Sequence, residues 1–321
     1  MHGREFWEMD MQDAEMRGVN LSGAGFADSD LRGADLRQAD LSGASLRGAD
    51  LRGVDFRGAI LDRAIFDQAI FDDTTQIDEK WRLVWQIVNG IHCDKNLAGA
   101  DFSNAKMSGI NLQGLNFEGA DFSGARLSGT DFTGANLRNA NLRESDLMGC
   151  CFRQADLRGT DINTVMDTAS HSVILHGTRI DGSTLLATPL RLIWEIVNKG
   201  VGGRDLIGVD LRSANLENAM LERTNLGESQ LRNANLERAN LSKANLHRSN
   251  LYWARLNNAN LSGADLSGAN LRMSYLFDAN LKDAILDETN LDKAHYNKRT
   301  QWPKGFAPPE SARFIDNDAR R

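Results

Sequence analysis

The 321-residue sequence predicts an all-β solenoid with four-sided coils, interrupted by two short helical inserts. Three observations carry this prediction. Large apolar residues recur every five positions through most of the chain, as in "GADLRQADLSGASLRGADLRG". A small residue stands two positions before nearly every one of them. The pattern also lapses twice in nearly the same letters, at "WRLVWQIVN" (81–89) and "LRLIWEIVN" (190–198), about 109 residues apart.

A period of five suits neither a helix, at about 3.6, nor a plain strand, at about two. It suits a chain that runs briefly extended, turns a corner and runs extended again. The large residue (Leu21, Phe26, Leu31, Leu36 and so on) and the small one before it then point inward. The three between them point out and are polar: Asp or Asn, then Arg or Ser, then often Gly. Gly33, Gly43, Gly48, Gly53 and Gly58 occupy the last outward place, where a corner calls for positive φ. Four corners close a coil, so residues twenty apart stack in neighbouring strands about 4.8 Å apart. No coil buries its own edges, so the stack needs capped ends.

The pattern A(D/N)LXX, as in "ANLRNANLRESDL" and "ANLERANLSKANL", resembles the pentapeptide-repeat family over most of residues 14–296. That resemblance implies a right-handed quadrilateral β-helix. Cyanobacterial members look similar around their inserts, so a cyanobacterial type is expected. The family is wide in function, and the resemblance speaks to fold more than to activity.

The expected organisation begins with an N-terminal cap (1–13), a first repeat segment (14–75) and a first insert (76–96). A second segment (97–185, irregular at 163–173) and a second insert (186–205) follow. A third segment (206–297) and a C-terminal cap or tail (298–321) complete it. In the inserts, Trp81, Val84, Trp85 and Val88, and likewise Leu190, Ile193, Trp194 and Val197, follow the spacing of one helix face. Asp78 and Thr188 are the expected N-caps, with Pro189 first in its helix. Asn89-Gly90 and Lys199-Gly200 mark the stops. With Gln76 and Leu185 taken as inward centres, each insert spans one coil plus one residue. The helices are expected to cover a seam, with Ile65 and Ile174 receiving their apolar faces; presenting a partner surface is the alternative.

The formal net charge is −7 and the sequence pI is 5.4, which argues against direct nucleic-acid binding. Cys93, Cys150 and Cys151 have no metal or disulfide-framework spacing. No secretory signal or membrane span is expected, and a cytoplasmic location follows. Histidines are scattered, and His92-Cys93-Asp94 lacks a second ligand cluster. Neither a nucleophile–base pair nor a phosphate loop stands out, so the expectation is no enzyme, no metal and no cofactor.

The family's gyrase-binding DNA mimics imply an alternative function, which needs dense charge of one sign. From Leu206 to Asn297 there are 11 acidic and 10 basic residues, so the rod is too balanced. One outward cluster stands apart: Tyr252, Trp253, Met273, Tyr275 and Phe277, with Arg255 in cation–π reach of Tyr275. Aromatics gathered on one corner mark an interface, unless the tail with Trp302 and Phe306 folds back over them. The expected function is a non-enzymatic interaction scaffold or regulatory binding protein for an unidentified protein partner, with a dimer through a solenoid end as a further possibility.

Overall fold

A computed structural model describes residues 1–91, 94–162 and 172–316. They fall into two compact units, one built on Met1–Cys150 and one on Leu186–Arg321, each completed by short pieces of the chain between. Both are made of the same repeating corner.

In the first unit parallel bridges join residues twenty apart: Asp35 to Asp55, Asp40 to Ile60, Asp101 to Asp121 and Asn116 to Asn136. Within each step the amide two before the next inward residue bonds back to the previous one, as Ala39 N–H does to the Leu36 carbonyl at 3.1 Å. The residue just before that amide is left-handed, Gly33 at φ 72° and Gln38 at φ 59°. An Asp or Asn side chain opens many of the corners by accepting the amide two residues on, as Asp40 Oδ1 does from Ser42 at 2.9 Å. Each turn is thus closed locally, and the strand between two turns is only long enough for one bridge. Five residues per side is the consequence.

The inward residues fill the coil completely. Leu21, Phe26, Leu31, Leu36, Leu41 and Leu46 are buried, with Ala24, Ala34, Ala39 and Ala44 packed between them. Phe102, Phe117, Phe122 and Phe132 form a ladder of ring contacts 5.0 to 5.9 Å apart. In the second unit Leu211 to Leu281 repeat the arrangement, and the outward Asn260 and Asn280 amides bond down the stack at 3.3 and 3.1 Å.

Residues 1–13, expected as the N-terminal cap, themselves form sides of the coil. The ladder already runs through Glu5–Gly25 and Asp10–Asp30, and Phe6 stacks on Phe26 at 5.1 Å as the inward residue of its side. Trp7, one position on, is outward by register and exposed. At the other end the tail does continue the coil: His295–Tyr296 pairs in parallel with Arg313–Phe314. Trp302 and Phe314 each pack on Tyr296 at 5.5 Å, and Phe306 packs on Trp302 at 5.4 Å.

The inserts are helices, α1 (Glu79–Val88) and α2 (Thr188–Lys199). Asp78 holds the N-cap position of α1 without a side-chain bond, whereas Ala187, not Thr188, is the N-cap of α2. The buried lines are Trp81, Val84, Ile87 and Leu190, Ile193, Ile196. Trp85, Val88, Trp194 and Val197, expected on those lines, are half-buried at their edges. Their place on the seam explains why. Trp85 lies flat on Phe71 (4.6 Å, 7°) and donates Nε1–H to the Ala69 carbonyl at 2.7 Å. Trp194 Nε1–H makes the matching bond to Thr178 at 3.1 Å. Both indoles lie along the rung edge.

The single-residue phase shift lies in a corner before each helix, so the expected centres Gln76 and Leu185 are one residue early. Gln76 pairs with Asp55, and the Leu185 amide bonds the Thr160 carbonyl, so both are outward and Ile77 and Leu186 take the inward places. The extra residue is absorbed where Asp72 Oδ1 accepts both the Thr74 and Thr75 amides, at 2.9 and 3.1 Å. Thr75 Oγ1 then donates to the Leu51 carbonyl of the coil below at 2.9 Å. Asp181 and Thr184 repeat this corner, and Asn297 and Thr300 use it a third time before the tail. Ile65 and Ile174 hold matching ladder places, paired with Ser45 and Cys151, and Ile65 lines an open groove with Val88 and Asn89. Side-chain bonds hold α1 to the Phe66 and Ala69 carbonyls, and α2 to the Leu175 and Thr178 carbonyls.

Candidate interaction surface

Tyr252 and Trp253 form the corner that follows the buried Leu251. Asn250 Oδ1 accepts the Tyr252 amide at 3.2 Å, and the Ala254 amide closes the turn on the Leu251 carbonyl at 2.9 Å. This geometry puts Trp253 at φ 60°, and the same corner one coil on puts Met273 at φ 59°. A left-handed conformation costs an L-residue about 1–2 kcal/mol relative to Gly, and bulky side chains adopt it rarely. Here it aims the indole outward.

The cluster then builds across coils. Met273 sulfur accepts both Trp253 Nε1–H at 3.0 Å and the Tyr252 hydroxyl at 3.4 Å. The Tyr275 ring meets Trp253 edge-on at 6.3 Å, packs near Phe277 at 6.2 Å and stacks on His295 at 4.9 Å and 12°. Trp253 remains 42% exposed, while Tyr252, Met273, Tyr275 and Phe277 are half-buried. The ring contacts of Trp302, Phe306 and Phe314 go to Tyr296 and to one another, so the tail's aromatics pack elsewhere. The ring contacts of Tyr275 and Phe277 are to Trp253, to each other and to His295.

Arg255 does not hold Tyr275. Its backbone pairs with Tyr275, but its guanidinium turns to Glu237, at 2.6 Å, because a carboxylate one coil away offers a stronger partner than a ring face. The cation–π contact belongs to Arg232, which lies 5.3 Å above the Tyr252 ring. Sequence reasoning missed Arg232 and His295, although the twenty-residue step places them one coil from Tyr252 and Tyr275. His295 titrates below the ordinary histidine range because burial, and then the nearby Arg313 charge, disfavour its cation.

Along the coils of each unit the outward faces carry local charge pairs. Asp30–Arg32, Asp35–Arg37, Asp50–Arg52, Asp55–Arg57, Asp156–Arg158 and Asp210–Arg212 form local pairs at 2.5 to 2.7 Å. The Arg37 guanidinium hydrogen-bonded to Asp35 pulls its carboxyl down to about 2. Among the described residues no group of three or more His, Cys, Asp or Glu side chains is placed to hold a metal. His92, Cys93, His171 and nearly all of the irregular stretch 163–173 lie outside the described residues. Cys150 is buried with its sulfur 2.9 Å from the Leu127 carbonyl. No helix among the described residues is long and apolar enough to cross a membrane.

A family model described as pentapeptide repeats matches the chain in eight copies, over residues 5–38, 39–75, 96–134, 125–163, 205–238 and 234–272. The unmatched stretches include both helices. No curated protein matches the chain significantly. Among solved structures, the pentapeptide repeat protein Rfr23 of the cyanobacterium Cyanothece 51142 is 31% identical, covering 36% of this chain and 99% of that one, with a TM-score of 0.30. HetL of Nostoc sp. strain PCC 7120, a pentapeptide repeat protein involved in heterocyst differentiation regulation, is 24% identical over 91% of this chain and 90% of its own (TM-score 0.17). QnrB1, a plasmid-mediated fluoroquinolone resistance protein, is 13% identical over 98% and 93% (TM-score 0.17).

Proposed function

The chain belongs to the pentapeptide repeat family, and from that premise we propose that it is a non-enzymatic protein-interaction scaffold or regulatory binding protein. The right-handed, four-sided coil and the seven-segment organisation around its two inserts are part of this reading. The partner engages the corner of Tyr252, Trp253, Met273, Tyr275 and Phe277. One observation carries the reading: a tryptophan held outward at φ 60° and left 42% exposed, where Gly or a polar residue meets the same backbone need on most other corners. Strain of this kind concentrates at functional positions, and exposed aromatics dominate interface energies.

A gyrase-directed DNA mimic fits less well. The Asp–Arg pairs neutralise the carboxylates locally, so the faces lack the continuous negative charge of a phosphate backbone. The full chain, intact and immobilised, tests the proposal against its Trp253→Gly/Tyr275→Ala variant. Partners retained by the wild type and quantified by mass spectrometry should be lost by a variant whose melting temperature is nearly unchanged. An identical partner profile for the two proteins, or strong inhibition of gyrase supercoiling by the wild type, overturns this reading.

A further inference from the structure

We infer that the partner segment taken by this corner is acidic, with carboxylates on either side of an apolar anchor; the inference rests on the interface reading above. The chain as a whole carries a net charge of −7, yet the corner does not. On the two sides that meet there, from residue 230 to 297, the outward cations are Arg232, Arg238, Arg255, Arg272 and Lys293. The outward carboxylates on those sides are Glu237, Asp278 and Asp292, and five minus three leaves the patch at +2.

Pairing concentrates that excess at two places. Arg255 is held by Glu237 at 2.6 Å and Arg272 by Asp292 at 3.1 Å. Arg232 and Lys293 have no carboxylate partner among the described residues. Arg232 is exposed, with its guanidinium carbon 5.3 Å from the Tyr252 ring centroid. A guanidinium with no carboxylate of its own offers the N–H fork that binds a carboxylate in two places.

The order along the stack is Arg232, then Tyr252 and Trp253, then Met273, then Lys293. The two uncommitted cations are three coils apart, roughly 14 Å at about 4.8 Å per coil. An extended peptide covers that in about four residues. The geometry therefore fits two carboxylates about four residues apart, with an apolar side chain between them resting on Trp253 and the Met273 thioether. Methionine adapts to differing anchors, and the ring faces add contact area at little entropic cost.

The test uses the full chain and a dye-labelled peptide carrying glutamates four residues apart around a central phenylalanine, with binding followed by fluorescence anisotropy. Saturable binding is expected, weakened about tenfold or more by Arg232→Glu, by Trp253→Gly and by replacing the glutamates with glutamine. Raised salt should weaken it as well. If Trp253→Gly abolishes binding while Arg232→Glu and the glutamine peptide leave it unchanged, the acidic inference fails and the interface stands. The acidic inference also fails, with the interface intact, if the wild type ignores the peptide while the double variant still loses its captured partner. A single-stranded oligonucleotide of equal charge that binds as tightly also overturns the inference, because then charge alone is recognised. Loss of neither peptide nor partner in any variant overturns the interface reading itself.

Discussion

Asn89→Ala should loosen α1 from the coil it covers, and Asn198→Ala should do the same to α2. Each asparagine closes its helix and fastens it to the rung beneath. Asn89 Nδ2 donates to the Trp85 carbonyl at 2.8 Å and to the Phe66 carbonyl at 2.9 Å, while its Oδ1 accepts the Gln68 amide at 2.5 Å. Asn198 repeats the set at 3.0, 2.9 and 2.6 Å with Trp194, Leu175 and Gly177. Three bonds at about 0.5–1.5 kcal/mol each give roughly 1.5–4.5 kcal/mol. Both side chains are half-buried, so water replaces part of what is lost and the lower half of that range, about 1.5–3 kcal/mol, is expected. Asn89→Asp keeps the acceptor but sets a carboxylate against two carbonyls, and it should cost at least as much as alanine. Urea titrations of the purified variants, followed by far-ultraviolet circular dichroism and tryptophan emission, measure this. Stacked repeats open in parts, so the early portion of the transition is where the loss should appear. If both alanine variants stay within about 0.5 kcal/mol of wild type, in the range of ordinary surface substitutions, the staple carries no stability and the reasoning is wrong.

Leu236 is fully buried, so Leu236→Asp should prevent a cooperative melt by burying an unpaired charge, whereas Arg238→Asp, two residues on and outward, should change the melting temperature little. Equal melting temperatures for the two would refute the register. Trp85→Ala removes a ring stacked on Phe71 and a bond to the Ala69 carbonyl, and its loss should fall near the low end for aromatic truncation, about 3 kcal/mol, in the same urea assay. The carboxyl of Asp35 is lowered to about 2 by Arg37, so its folded form favours the anion. Its stabilisation is complete above the unfolded value of about 3.9 and fades as pH falls from there towards 2. Arg37→Gln should flatten that part of a melting-temperature profile, and an unchanged acid slope would count against the pairing.

Much of the coil is legible in the sequence because its corner is local chemistry. An Asp or Asn before each inward residue, a left-handed residue after it and an i to i+3 bond need only neighbours along the chain, so one period states them all. Trp253 and Met273 fall together for the same reason, since a strict twenty-residue step converts sequence distance into a contact. Two errors show where that logic ends. A count with uniform corners sets Gln76 and Leu185 inward, while the four-residue Asp72–Thr75 and Asp181–Thr184 corners each hide one extra residue. Helix spacing sets Trp85 on the buried line, because spacing alone cannot tell a ring that fills the interior from one that lies along the rim.

Taken alone, the sequence determined the repeat, its inward and outward faces, the place of the helices and the aromatic corner, because each follows from periodicity and from the conformations that small and polar residues allow. Only the tertiary structure decided which competing partner each side chain takes. Arg255 had both a ring and a carboxylate in reach, and the geometry gives it to Glu237 and leaves Tyr252 to Arg232. Asn89 had the look of a simple helix stop, and the fastening role it shares with Asn198 depends on carbonyls twenty-three residues back that face them only when helix and coil are folded together. Such choices are set by distances of a few tenths of an ångström between groups remote in the chain, and a one-dimensional pattern does not carry them.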